Sequence, residues 1–383
     1  MVVIRLKSLL VAVFSLGILL FSNISYAQDQ AHEEMAHAAG GEEGFKFDAN
    51  KVIFSHVLDA HEFHYFSWKD KDGVEHHATL PLPVILYSPQ KGWSFFMSSK
   101  FHHGEHEVDG YRLEGNKIVP VDPNVTVYDL SLTRNVVQMF FAVVVLFLIL
   151  SSVVKKYKKG IGIKSAPTGM QNVIEPIVTF IKDEVAVPNL GVKKYEKYLP
   201  FILTIFFFIL INNIFGLIPG AANVTGNIAF TLVLGVITFL VITFSGNKHY
   251  WSHIFNPPVP AGVNVIMIIV EFLSIFTKPF ALIMRLFANM LAGHIIIICL
   301  ISLIFIFGGM STAIGFGFSP VSIAFVVFMY FIELLVAFIQ AFIFANLAAV
   351  FIGQAIEEAH HPEEHQELNL KESTAKYDDP VII

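Results

Sequence analysis

One cysteine, Cys299, serves the whole chain. A single thiol excludes an intrachain disulfide and a cysteine-built metal cluster, and on an apolar stretch it reads as a small filler. Charge is scarce too. Asp, Glu, Lys and Arg make up 15% of 383 residues, well below the roughly 25% of soluble domains. The net charge of −6 lacks the basic footprint of a nucleic-acid binder. No nucleotide loop of the P-loop type is present, and no motif asks for a cofactor. Residues 286–332 contain no Lys, Arg, Asp or Glu at all. What fills the space is apolar: 55% of the chain is hydrophobic and the mean hydropathy is +0.63. This is the composition of an integral membrane protein with a soluble part attached.

Residues 1–27 read as a secretory signal. Arg5 and Lys7 form a charged start, an apolar run follows, and Ser25-Tyr26-Ala27 ends it in a small-x-small site. An uncleaved signal anchor is the alternative, and either way residues 28–130 are exported. That part opens on a polar head (28–50) and continues as short alternating runs: 51–58, 61–68, 74–88, 92–99 and 111–121. Turn signals at Lys71-Asp72-Gly73, Pro89-Gln90-Lys91-Gly92 and Glu114-Gly115-Asn116 separate several of them. A small antiparallel β domain fits. It is rich in histidine. His61-x-x-His64 and His102-His103-x-x-His106 have spacing that suits a transition metal or simply solvated strand faces, and neither is specific enough to assign a metal site.

Residues 131–356 carry the membrane signal. Spans are expected at 135–154, 199–218 and 227–245, with a charged interfacial helix at 171–187. Lys155, Lys156, Lys158 and Lys159 follow the first span, and Lys193, Lys194 and Lys197 precede the second. The positive-inside rule makes both places cytoplasmic. Lys248, His249 and His253 lie in a cytoplasmic loop closed by Pro257, Pro258 and Pro260. Two apolar segments remain, 261–308 and 321–356, joined by an uncharged loop over 308–320. At 1.5 Å per residue they reach about 72 and 54 Å, against a hydrocarbon core of about 30 Å. Neither can stand upright, so a steeply tilted antiparallel hairpin is expected. The acidic tail, 357–383, is cytoplasmic by crossing count. The fold class is therefore a mainly α membrane protein with about five membrane helices and a small exported β-rich domain.

Few strongly polar residues interrupt the two long segments: Glu271, Lys278, Arg285, Asn289, His294, Glu333, Gln340 and Asn346. At 100° per residue, Glu271 and Asn289 lie within about 40° of Arg285, while His294 is about 180° away. An arginine at mid-bilayer costs about 2.5–3.5 kcal/mol on insertion scales. Arginine stays charged at any working pH, so Arg285 is a poor proton carrier and a good electrostatic barrier. Polar routes on either side of it could use Glu271 on one side, and His294 with Glu333 on the other. A structural pairing of Arg285 with Glu271 or Glu333 is the competing reading.

The run Arg285-Leu-Phe-Ala-Asn289-Met-Leu-Ala-Gly293-His294, preceded by Lys278-Pro279, resembles the signature of subunit a of rotary F-type ATP synthases. Glu333, Gln340-Ala-Phe-Ile-Phe344 and Glu357-Glu358 are similar to that family's last helix, and Asn223-Val224-Thr225 also fits. The resemblance covers about 134–358. It implies a non-catalytic stator subunit whose tilted hairpin faces a ring of c subunits. The b-subunit peripheral stalk would hold it in the bacterial inner membrane. Two offset half-channels would lead protons to and from a ring carboxylate. Arg285 matches the family's essential arginine. Asn289, His294, Glu333 and Gln340 match polar positions of the outer half-channel and hairpin, and Glu271 an acidic position nearer the cytoplasmic route. Many bacterial members carry Glu where His294 stands and His where Glu333 stands. The exchange found here, as in mitochondrial members, preserves a titratable pair. The exported domain is outside the resemblance. A secondary transporter binding an anion at Arg285, and a metal-binding module on an anchor, are the rival classes. No internal repeat supports the first, and the second leaves Arg285 unexplained.

Overall fold

The computed structural model describes residues 59–69, 75–104, 106–162, 165–218, 220–255, 257 and 261–357. The expected signal, the polar head, the run 51–58, the turn at Lys71-Asp72-Gly73 and the tail beyond Glu357 lie outside the described residues.

Among the described residues the first unit is built from three small antiparallel sheets. β1 (Glu62–Lys69) pairs with β2 (Glu75–Pro81); β3 (Pro83–Ser88) lies between β4 (Gly92–Met97) and β7 (Tyr128–Asp129); β5 (Tyr111–Glu114) pairs with β6 (Lys117–Pro120). The run expected over 74–88 is two strands, not one. Pro81 and Pro83 lack the N–H that a continuous ladder needs, and the chain breaks at Leu82. The run 111–121 is likewise a hairpin turning at Gly115-Asn116. Alternation sorts the faces of the central sheet: Val84, Leu86 and Phe96 are buried with Phe101, Tyr111 and Ile118, while Trp93 and Phe95 point out.

Buried His61 binds Asp129 at 2.7 Å, joining the start of β1 to the end of β7. Burial alone would push the Asp129 carboxyl up. The hydrogen bonds from His61 and Ser131 outweigh it and hold the group below its ordinary value. A depressed carboxylate contributes stability above its unfolded value, and that stability is lost as the pH falls through the folded one. Asp129→Asn is therefore expected to lower the unfolding temperature of this region near neutral pH, and the gap to the unmodified protein should close in acid. Hydrogen exchange of β7 and β1 amides at two pH values checks this.

The second unit is helical. α1 (Arg134–Lys158) begins five residues after β7 and ends on Lys155, Lys156 and Lys158, cations that suit the negative end of the helix dipole. α2 (Met170–Phe180) runs through a wider turn at 181–186 into α3 (Val187–Leu190), where the charged helix was expected. α4 (Tyr195–Gly216) and α5 (Ile228–Ser245) follow, the latter capped by the Asn227 side chain, which accepts from the Ala229 N–H. The loop expected at 248–260 holds a short helix, α6 (Lys248–Phe255), whose Trp251 stacks on Phe255 one turn on.

α7 (Ala261–Met310) and α8 (Thr312–Ile356) form an antiparallel hairpin. Their 50 and 45 residues span about 75 and 68 Å. The expected loop over 308–320 is instead helix, apart from Ser311. Glycines and Pro320 do not break it, because in hydrocarbon the backbone must satisfy its own hydrogen bonds. Gly308 and Gly315 also let the two helices meet at the tip: a Cβ on Gly315 would stand 2.7 Å from Gly308 Cα. Among the described residues five helices (α1, α4, α5, α7 and α8) are long and apolar enough to cross a membrane. Their exposed side chains, such as Phe140, Phe147, Phe305 and Phe331, suit lipid.

The two units share a core. Phe63 and Leu82 of the β unit pack with Ala222 and Val224 of the loop between α4 and α5. Gln138 of α1 clamps that loop: its amide donates to Ala222 O at 2.6 Å and accepts from Ala222 N at 2.7 Å.

Candidate functional site

Lipid offers little hydrophobic drive to bring α7 and α8 together, so their register needs specific contacts. Polar bonds supply it. Lys278 Nζ donates to Gln354 Oε1 at 2.8 Å, Asn289 Nδ2 to Gln340 Oε1 at 2.9 Å, and Ser322 Oγ to Leu300 O. Close to the hairpin's midpoint, His294 Nε2 faces Glu333 Oε1 at 3.7 Å. That gap exceeds a hydrogen bond and is one that a small side-chain shift closes.

Arg285 lies halfway along α7 and is exposed. Among the described residues it makes no hydrogen bond, ion pair or ring contact. Glu271 is about 21 Å away along the helix, and Glu333 is turned to His294. The competing reading, a structural pair with either acid, is therefore not what the structure contains. Asn289, one turn on, is held by Gln340 on the same side of the hairpin.

Glu333 is only 3% exposed, and neither of its carboxylate oxygens has a hydrogen-bond partner among the described residues. A buried polar group left so is costly and marks a functional position. Gly293 makes the room: a Cβ there would sit 2.5 Å from Glu333 Oε1. On the other side, a Cβ on Gly216 of α4 would lie 3.7 Å from His294 Nε2. Asn213 and Asn223 complete the surround. Asn213 donates to Ala337 O at 3.0 Å, one turn from Glu333, and Asn223 donates to Met290 O at 3.4 Å, one turn from His294. Asn212 and Asn213 are absent from the residues picked by sequence, although two amides inside an apolar span were a usable signal. Gly216 carried none, because its part is to be small beside a residue distant in sequence.

Glu271 is apart from this cluster. It lines a cavity of about 350 Å³ with His249, Tyr250, Lys278, Gln354 and Glu357, at the end of the hairpin away from the β unit. Residues at expected positions thus fall into three places: a polar cavity at one end, a buried acid–imidazole pair, and, between them in sequence, an arginine with no partner among the described residues.

Comparison with known proteins bears on this arrangement. A family described as ATP synthase A chain matches residues 136–353, and a domain of unknown function matches residues 52–138. The chain is 45% identical over 266 residues to the ATP synthase subunit a of Chloroherpeton thalassium, an alignment covering 68% of this chain and 78% of the relative. It is 43% identical over 265 residues to ATP synthase subunit a 2 of Chlorobaculum tepidum, covering 67% and 71%. A subunit a from Myxococcus xanthus is 40% identical over 243 residues, covering 62% and 77%. With its long antiparallel hairpin and exposed mid-helix arginine, and with more than half its length matched, the chain belongs to the ATP synthase A chain family.

Proposed function

We infer that Arg285 is the fixed charge against which the carboxylates of a rotating c-subunit ring discharge and reload. The chain is the proton-translocating stator subunit of an F-type ATP synthase. It performs no bond chemistry itself; phosphoryl transfer belongs to other subunits. The observation that carries the reading is Arg285, exposed mid-hairpin on an apolar surface with no partner of its own among the described residues. A lone guanidinium facing lipid would be costly. One facing a ring carboxylate is satisfied each time a carboxylate arrives.

The outer half-channel would run past the β unit to His294, Glu333, Asn289 and Gln340. The cytoplasmic one would use the cavity at Glu271. Residues 28–130 would be periplasmic, the tail cytoplasmic, and the membrane the bacterial inner one, with the b-subunit stalk as a further neighbour. The separation of the two polar places supports two routes, and Arg285 between them supports a barrier. A transporter would instead keep such an arginine in a midplane cavity between repeats.

Cysteine accessibility tests the layout. In a Cys299→Ser background, Glu271→Cys should react with an impermeant thiol reagent only from the cytoplasmic face of membrane vesicles. His294→Cys should react only from the opposite face. Reaction of both from one side would remove the two-route reading.

A further inference from the structure

At the end of the bundle away from the β unit, the residues leading into and opening α4, the last turns of α5 and Ile356 of α8 line a second, open cavity of about 790 Å³. Its lining has two chemistries. Lys193, Lys194 and Lys197 stand on one side, and Leu240, Val241 and Phe244 of α5 on the other. Among the described residues no acidic side chain lines it.

The three lysines do different things. Lys194 Nζ donates to Ile356 O at 2.9 Å, and Asn247 Nδ2 donates to the same carbonyl at 2.8 Å. That bond closes the end of α8 and makes Lys194 part of the wall. Lys193 and Lys197 are exposed and, among the described residues, have no acidic partner; the Lys197 ammonium lies over the Tyr198 ring. Opposite them Phe244 is 84% exposed. A cationic rim beside an apolar wall, at the end of membrane helices, matches an amphiphile with a negative head. Basic pockets between membrane helices on the cytoplasmic side bind anionic head groups for this reason, and the volume is that of an ordinary ligand site.

We propose that this cavity binds an anionic glycerophospholipid, with its phosphate on Lys193 and Lys197 and an acyl chain along Leu240, Val241 and Phe244. The proposal rests on α4, α5 and α8 crossing a bilayer, not on the proton route. Such a lipid would brace the junction where α8 ends against α4 and α5.

The test uses the purified complex containing this chain, exchanged into detergent and titrated with phosphatidylglycerol or phosphatidylcholine, with bound lipid counted by native mass spectrometry. The phosphatidylglycerol should be retained in preference. Lys193→Gln with Lys197→Gln should weaken its binding about thirty-fold, as loss of two near-surface lysines implies, while Lys194 stays to hold Ile356. Phe244→Asp, with the lysines intact, should weaken it too and serves if the double variant fails to assemble. Millimolar inorganic phosphate should not displace the lipid. Equal retention by all forms, displacement by phosphate alone, or unchanged lipid with loss of stalk subunits would each overturn the proposal.

Discussion

Arg285→Ala is expected to abolish ATP-driven proton pumping in inverted vesicles while leaving the protein inserted and the complex assembled. Insertion should improve, because removing a mid-membrane arginine lifts a cost of about 2.5–3.5 kcal/mol. Packing should hardly change, because the side chain is exposed and makes no polar contact within the described residues. Lost function would then report lost charge. On the function proposed above, without that charge nothing compels a ring carboxylate to release its proton as it passes from one route to the other. The driving force, about 2.3 kcal/mol per charge per 100 mV, would have no step to act on. Arg285→Lys is expected to fail as well. An ammonium keeps the charge but is a point donor that sheds its proton readily when desolvated, whereas guanidinium does not. Normal coupled pumping in the alanine variant would sink this account of the arginine.

The second large effect concerns Glu333 and His294. Glu333→Gln keeps the shape but removes the group proposed to carry the proton from a site with 3% exposure. Passive proton flux through the membrane sector should fall by about a hundredfold, the lower end of what a positioned proton-transfer group contributes. His294→Ala should fall less, because its imidazole is more exposed than the acid it faces. The exchange of both residues, His294→Glu with Glu333→His, should recover much of the flux. The two groups stand 3.7 Å apart, so either order leaves a donor beside an acceptor. Gly293 sets the limit on that recovery, since the space it leaves is fitted to a carboxylate arriving from α8. Flux in the exchanged form no better than in Glu333→Gln would show that the pair is not a proton relay.

Much of the architecture follows from properties that can be summed along the chain. Apolar length, scarcity of charge and the lysines at span ends are one-dimensional. Five spans, a hairpin too long to stand upright and a β-rich beginning were therefore legible. Helical phase is also local, which is why Arg285 and His294 could be assigned to different sides of α7 before any packing was known. The errors have a physical pattern. Glycine and proline between 308 and 320 read as a loop by the rules for water, where free backbone groups find solvent. In hydrocarbon they find none, and the helices run on to Ser311.

Tertiary structure alone decided the pairings. The register of α8 against α7 sets Gln340 on Asn289 and Glu333 opposite His294. No periodicity within either helix encodes that offset. The parts played by Asn213, Gly216 and Asn223 arise only when α4 and its loop close over the pair. The same holds for Arg285. Sequence showed that a charge stands in an apolar run, and sequence left open whether Glu271 or Glu333 neutralises it. Folding sent one acid to a cavity and the other to a histidine, leaving the arginine on the surface. Solvation cost can be read from a sequence because it belongs to one residue; a partner's absence belongs to the arrangement of all of them.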